Sequence, residues 1–288
     1  MSPEEMNGGV AHSGAVRMPA ASSGAPEAFD AAAARYDERF SLVTNPVVRL
    51  LRQRVLAAAA RHFPIGSTLL EVGCGTGQDT LALAARGHGV VACDPSANMI
   101  ATTRARIEGA GHGATVTFLC RGAALLGAEW PSLGLSVDGV FSNFGPLNCE
   151  LSLEPVRLLL ERALRPGGRF VGVVMPKLCP LEVAINLARG DLRTAFRRFQ
   201  REPLADVEGV RFPIRYYGAG DFDRALGPAF RRIETRSLGL WLPPPRFGEA
   251  LGAWPRLLGA LAGIEDTFAG LPGVGRMGDH VILVYQRT

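Results

Sequence analysis

Between Leu69 and Asp94 two short apolar runs alternate with a glycine loop and an Ala/Leu-rich stretch, and no other part of the chain limits the fold so tightly. Leu69-Leu70-Glu71-Val72 reads as a buried strand. Gly73-Cys74-Gly75-Thr76-Gly77 makes a tight loop, and Gln78 to Arg86 reads as a helix broken by Gly87 and Gly89. Val90-Val91-Ala92-Cys93 is a second strand, and it ends on an acid, Asp94. Strand, glycine loop, helix, strand and acid, in that order, form the first half of a nucleotide-binding α/β sheet.

The glycine spacing selects the kind of nucleotide. A dinucleotide loop needs G-x-G-x-x-G, so that a pyrophosphate can meet the helix N-terminus. Here the glycines fall at 73, 75 and 77, and Gln78 takes the place of the third spaced glycine. Glu71 would repel a pyrophosphate but suits a cationic ligand. Three clustered glycines also occur in plain turns; the ordered strand, helix and acid around them speak against that.

The pattern Glu71-x-Gly73-x-Gly75-x-Gly77 resembles motif I of the class I S-adenosylmethionine (SAM)-dependent methyltransferases, of the small-molecule type. The resemblance implies a Rossmann-like α/β sheet of order 3-2-1-4-5-7-6. Strand 7 would be antiparallel, helices would cover both faces, and a cap would follow strand 5. It also implies a SAM cofactor. The loop Gly73, Cys74, Gly75 and Gly77 would pass under the methionine part, and Asp94 would accept both ribose hydroxyls, a charge-assisted bidentate arrangement. Glu71, Pro95 and Met99 join this cofactor shell.

With 288 residues the chain can form one large α/β domain or two small ones. Its net charge of +4 comes mostly from scattered arginines, which read as solvated surface. Nucleic-acid binding would want a concentrated basic stripe, so none is expected. Cys74, Cys93, Cys120, Cys149 and Cys179 lie far apart without a C-x-x-C pair. They read as small buried hydrophobes in a reducing, cytoplasmic compartment, with no metal. No long apolar run predicts a membrane span. Residues 1–27 are rich in Gly, Ser, Ala and Pro, lack a signal core and read as a disordered tail.

Residues 28–60 are expected to form a helical lid. Phe29, Ala33, Tyr36 and Phe40 recur at helical spacing over Ala28–Phe40. Asn45 caps a second helix with Pro46 at its start and Val47, Leu50, Leu51 and Val55 on one face. Phe29-Asp30 and Tyr36-Asp37 resemble the family's FD…YD lid, which places Tyr36 at the methionine carboxylate; a half-buried packing role is the alternative.

A core domain is expected over 61–176. Ser96 caps a helix whose buried face carries Met99, Ile100, Thr103 and Ile107, and Thr115–Leu119 is the third strand. The family often has an acid just after that strand, for the adenine amino group. Here Cys120-Arg121-Gly122-Ala123 supplies none, which leaves a backbone N–H at Gly122 or Ala123 and makes Arg121 unexplained. The fourth strand ends at Asn143-Phe144, at a carboxyl edge where such sheets place ligands. There Asn143 has a turn-capping amide as its alternative. In the family the next segment, down to Asn148, borders the methyl group and the acceptor. Leu164-Arg165-Pro166-Gly167-Gly168 before strand five, Arg169–Met175, also matches the family's L-x-P-G-G.

Residues 177–228 read as an inserted cap over the acceptor. Within it Val210, Phe212, Ile214 and Tyr216 alternate with Arg211, Pro213, Arg215 and Tyr217. Arg197-Arg198 and Arg231-Arg232 read as solvated faces. In the closing part, 229–288, strand six spans Phe230–Leu240 and Trp241 leads into a proline run. A helix follows with Leu251, Trp254, Leu257, Leu258, Leu261 and Ile264 as its apolar face, then the last strand, His280–Gln286. If that strand is antiparallel, as the resemblance implies, Asp279-His280 lies at the acceptor edge. His280 is then a candidate base, with a loop-capping role as its alternative, and Glu182 is a second candidate.

These features together predict methyl transfer from SAM to an O, N or C atom of a small aromatic or lipid-like metabolite, by a monomer or homodimer. Asn148, Arg215, Tyr216 and Trp241 are the expected acceptor contacts. Two alternatives stay open: an RNA or protein methyltransferase, and a SAM-binding regulator without catalysis. Asn143-Phe144-Gly145-Pro146 does not match the [DNS]-P-P-[YF] motif of base methylation, and the glycine spacing ranks a nicotinamide dehydrogenase last.

Overall fold

The computed structural model describes residues 24–40, 42–245 and 248–288. The expected tail up to residue 23 lies outside them, and helix already begins at Ala25. In chain order the elements are α1 (Ala25–Ala32), α2 (Tyr36–Arg39), α3 (Pro46–His62), β1 (Thr68–Val72), α4 (Gln78–Ala84) and β2 (Gly89–Cys93). Then come α5 (Ala97–Gly109), β3 (Val116–Leu119), α6 (Ala123–Leu133), β4 (Val137–Ser142), α7 (Pro146–Cys149), α8 (Glu154–Ala163) and β5 (Leu164–Val174). The remainder is α9 (Pro180–Ala188), α10 (Leu192–Ala195), β6 (Leu204–Val207), β7 (Val210–Pro213), α11 (Ala219–Leu226), β8 (Phe230–Leu238), α12 (Gly248–Leu251), α13 (Pro255–Phe268) and β9 (His280–Arg287).

Seven strands form one sheet of order β3-β2-β1-β4-β5-β9-β8, and β6 and β7 form a separate hairpin. The first five strands are parallel, and β9 runs antiparallel to both β5 and β8. This is the expected order, with the hairpin inserted ahead of the last two sheet strands. Leu69 and Leu70 are both fully buried on consecutive positions of β1, as a strand covered on both faces requires. One face packs Leu126, Trp130, Leu159 and Phe222 from α6, α8 and α11. The other packs Leu51 and Val55 of α3, Leu83 of α4, Ile107 of α5 and Leu258 of α13.

Four expectations change. Ala28–Phe40 is not one helix; it breaks into α1 and α2. Helix α3 is a layer of the core under the sheet, so only the segment ahead of it lies where a lid would. Strand β8 stops at Leu238, because Gly239 turns at φ 74. The cap segment holds α9, α10 and the hairpin, whereas α11 packs on the core face.

Helix α13 departs most from its sequence pattern. Leu258 and Glu265 are its buried residues, while Trp254, Leu257 and Ile264 are 66, 48 and 40% exposed. Glu265 supplies the reason. Its Oε1 accepts the Gly239 and Leu240 N–H groups at 2.8 and 3.2 Å, and its Oε2 accepts Trp241 N–H at 2.8 Å. The chain leaving β8 has no ladder partner for these three N–H groups, and buried donors must be satisfied. Glu265 must therefore face inward, and the apolar stripe next to it turns outward. Glu265→Ala should cost about 3 kcal/mol in urea unfolding, from loss of hydrogen bonds to a charged group, and Glu265→Gln should cost less.

Candidate active site

The glycine loop is stitched to the end of β2. Gly73 and Cys74 both donate their N–H groups to the Cys93 carbonyl, at 2.8 and 3.0 Å. Asp94 follows directly. Its Oδ2 accepts the Gly75 N–H and its Oδ1 the Ser96 N–H, both at 3.0 Å. Behind the loop, Thr103 Oγ1 donates to the Gly75 carbonyl and Arg106 Nε to the Thr76 carbonyl, both at 2.7 Å. Gly73 and Gly77 take positive φ where a Cβ would strike Pro146 and Thr103 respectively. Gly75, at φ 55, meets no protein atom; its open side faces a cavity.

That cavity has about 970 Å³ of empty space, its open mouth included. Tyr36, Gly73, Cys74, Gly75, Asp94, Pro95, Met99, Gly122, Ala123, Asn143 and Phe144 all line it. Of the expected cofactor shell, Glu71 and Gly77 do not. Gly77 packs against α5, and Glu71 lies buried beneath the loop, accepting a 2.6 Å bond from Thr80 Oγ1. Two carboxylates hold the lid segment over the loop. Asp30 accepts from Ser96 Oγ, the Asn98 N–H and Asn98 Nδ2 at 2.7–2.8 Å. Asp37 accepts from Thr76 Oγ1 and Gln78 Nε2 at 2.6 Å and pairs with Arg106. Burial pushes the Tyr36 phenol up to about 12, so it stays a neutral donor.

The cavity's donor set fits SAM. Asp94 is buried, and each of its oxygens takes one backbone N–H, leaving further lone pairs for a ribose diol. Gln78 Oε1 and Asn143 Oδ1 are buried without a partner, two free acceptors for a ligand ammonium. Asp79, Asp94 and Glu150 line the cavity with two arginines, Arg52 and Arg121, and Arg52 is taken up by Asp79. Glu150, pushed up by burial, lines the same cavity as Arg121, Gly122 and Ala123, and is the one glutamate there.

A second, apolar cavity adjoins the first. The two share Phe29, Tyr36, Arg52, Phe144 and Cys149. Its walls include Phe40, Val48, Leu51, Met175, Val207, Phe212 and Ile214. Phe144 sits at the junction with φ 53, an uncommon conformation for a bulky residue and of a kind that clusters at functional sites. Its ring meets the His280 ring edge-on at 5.3 Å, and the Arg52 guanidinium lies 5.3 Å from its centroid. Arg52 is held by Asp79 at 2.7 Å, and Asn143 Nδ2 donates to Asp79 at 2.9 Å.

His280 lines this second cavity, because β9 starts at the ligand edge. Its Nδ1 lies 3.1 Å from Asp279 Oδ2. Arg198 reaches in from the cap, its Nη2 2.8 Å from Asp279 Oδ1 and 2.6 Å from Glu182 Oε2. Burial works against the Asp279 charge, but the His280 ring and the Arg198 guanidinium outweigh it and hold the carboxyl well below its usual range. Arg198 is thus no solvated residue: its side chain is 3% exposed and neutralised on both sides.

The four expected acceptor contacts line neither cavity. Asn148 binds Met175 and Arg215 main chain. The Arg215 guanidinium points to the Leu151 carbonyl and lies over Tyr217. Tyr216 lies under Arg198. Trp241 is 45% exposed on the far side of Glu265. Strand alternation could not locate these side chains, since the packing of the hairpin on α1 decides which face meets the site. Arg52 and Asp79 were missed. The signal for Arg52 was a charge on the buried face of α3, one turn after Val48 and one before the buried Val55.

Comparison with known proteins bears on the fold and the cofactor. Residues 69–168 match the family model for a methyltransferase domain. The chain is 34% identical over 143 residues to the ubiquinone/menaquinone biosynthesis C-methyltransferase UbiE of Rubrivivax gelatinosus, covering 50% of this chain and 52% of that one. The chain spans about half the length of the curated relatives it matches. Among solved structures, the CcbJ methyltransferase of Streptomyces caelestis superposes with a TM-score of 0.56 at 18% identity, over 91% of this chain and 98% of that one. The Burkholderia thailandensis 1,6-didemethyltoxoflavin-N1-methyltransferase, solved with its acceptor and S-adenosylhomocysteine, gives 0.52 at 17%, over 92% and 88%. At these identities the two structures share the fold.

Glu71 yields a pH prediction. Burial, with Asp79 next, pushes its carboxyl up to about 8, so the folded state keeps a proton that the unfolded chain releases near the ordinary glutamate value of 4.5. Folding then loses stability as pH rises through that window. Glu71→Gln should remove this loss: the urea stability of the variant relative to the parent should increase from pH 5 to pH 8.

Proposed function

We propose that the chain is a class I SAM-dependent methyltransferase and moves a methyl group from SAM to an O, N or C atom of a small aromatic or lipid-like acceptor. The observation that carries this reading is the junction at Phe144. There an acid-rich cavity that fits SAM meets an apolar cavity with one histidine. When bound, SAM supplies a sulfonium methyl open to in-line displacement. Orientation and exclusion of water can then provide most of the rate.

The residues divide the work. Asp94 would hold the ribose, and the glycine loop, Gln78, Asn143 and the neutral Tyr36 would meet the methionine part. Phe29, Phe212 and Ile214 enclose the acceptor in apolar surface and keep water out. His280, turned by Asp279, takes the proton that a hydroxyl, amine or enol-type carbon loses on attack. The curated relatives are named for ubiquinone and demethylmenaquinone methylation, so demethylmenaquinone is the first acceptor to try.

The test combines labelled SAM, demethylmenaquinone and a panel of phenolic metabolites with the intact protein. A labelled product identified by mass spectrometry is expected. Bound SAM without any transferred label across the panel would favour a non-catalytic binder.

Two variants separate the cavities. Asp94→Ala should weaken S-adenosylhomocysteine binding by about 1.5–3 kcal/mol in calorimetry, the range for hydrogen bonds to a charged group. His280→Ala should lower turnover by roughly 10²–10⁴-fold with that affinity preserved; unchanged turnover with earlier melting would make the histidine a structural cap.

A further inference from the structure

The outward stripe of α13 is unusual. Trp254, Leu257, Leu261, Ile264 and Phe268 recur every three or four residues and fall within roughly a quarter of the helix circumference. Trp254, Leu257, Ile264 and Phe268 are each at least 40% exposed, and Leu271 just past the helix is 45% exposed. Isolated exposed apolar residues need no explanation, whereas a contiguous patch does.

The patch continues toward the second cavity. Trp254 and Leu257 form a groove with Ile185 of α9, with Arg189 just past its end and with Pro243. Helix α9 gives Glu182, and the proline run gives Pro244 and Pro245, to the wall of the acceptor cavity. Beyond α9, Leu192, Phe196 and Phe199 are 62, 48 and 54% exposed. Groove and proline run therefore adjoin a wall of the second cavity, and Arg197, 47% exposed beside Phe196, lines that cavity as well.

The charges along this edge identify what covers it. Arg193, Arg201 and Arg256 are exposed, each within two residues of an exposed Leu, Phe or Trp, and none forms an ion pair among the described residues. The carboxylates of α9 and α13 are already engaged. Glu182 binds Arg197 and Arg198, Glu265 caps the end of β8, and Asp266 holds Arg54 with both oxygens. A second copy of the chain, paired about a twofold axis, would bring this patch against itself. Its arginines would meet arginines: over residues 189–202 the exposed acids Asp191 and Glu202 are outnumbered by the exposed Arg189, Arg193, Arg197 and Arg201. An interface of lipid phosphates over acyl chains satisfies both the cations and the stripe, with α13 lying in the surface plane.

We propose that this edge, centred on α13 and flanked by Arg193, Arg201 and Arg256, docks the protein on an anionic lipid bilayer and sets the mouth of the second cavity against the lipid. The docking does not depend on methyl transfer, and its test uses none.

The intact protein is mixed with vesicles of phosphatidylcholine, alone or with about one-quarter phosphatidylglycerol. Flotation should carry the protein with the mixed vesicles, less so as salt is raised. The fluorescence of Trp254 should shift to the blue, a change absent in Trp254→Phe. The triple variant Leu257→Ser/Ile264→Ser/Phe268→Ser should bind the mixed vesicles at least about tenfold more weakly, with parental S-adenosylhomocysteine affinity as proof of folding. Arg193→Glu/Arg256→Glu should weaken binding and flatten its salt dependence. No flotation with either vesicle, equal flotation of the triple variant, or a dimer in sedimentation equilibrium that the triple variant dissociates would each overturn the proposal.

Discussion

The bond from the Gly75 N–H to Asp94 is the contact around which the site is assembled. It joins the turn after β1 to the end of β2, two strands brought side by side by the parallel register of Val72 with Cys93. A side chain at Gly73 would push the loop off Pro146, and one at Gly77 would push it off Thr103. The loop is therefore held between the segment after β4 on one side and α5 on the other, and α4 starts where the loop ends. Asp94 lies in the middle of this arrangement with lone pairs left over. The same carboxylate braces the fold and faces the first cavity. Burial raises its pKa while the two N–H groups oppose that shift.

The second half of the site depends on strand direction. Five parallel strands put their carboxyl ends at one edge, and β9 brings its first residue there because it runs the other way. The pair Asp279-His280 is thus delivered from a part of the chain remote from the loop. Arg198 then ties the inserted cap to that pair through Asp279, and Glu182 balances the charge. A buried network of this kind is costly if any member is left unpaired. The cap and the histidine thus meet at one carboxylate: Asp279 is held by Arg198 and lies 3.1 Å from the His280 ring.

Helix α13 shows the same competition between local pattern and global need. Its apolar residues would by themselves choose the core. Three N–H groups at the end of β8 outweigh them, because an unpaired buried donor costs about as much as a small apolar side chain gains on burial. Glu265 takes the inner face, and the apolar stripe is left for another surface.

The contiguous stretch from Leu69 to Asp94 by itself determined the sheet type, the cofactor loop and about a third of the residues lining the first cavity. Close neighbours in sequence make that unit, and glycine positions, apolar runs and a terminal acid report it directly. The final strand's place at the ligand edge was also legible, through the direction expected of it. Tertiary structure alone decided the second cavity. Arg52, Asp79, Arg198 and Phe212 converge from α3, α4, the cap and its hairpin, and no spacing relates them. Arg215, Tyr216 and Trp241 had the right chemistry, but the hairpin's packing on α1 and the Glu265 cap pointed them elsewhere. A sequence pattern shows which side chains share a face; which face meets a cavity depends on long-range packing and on where the last unpaired N–H finds its acceptor.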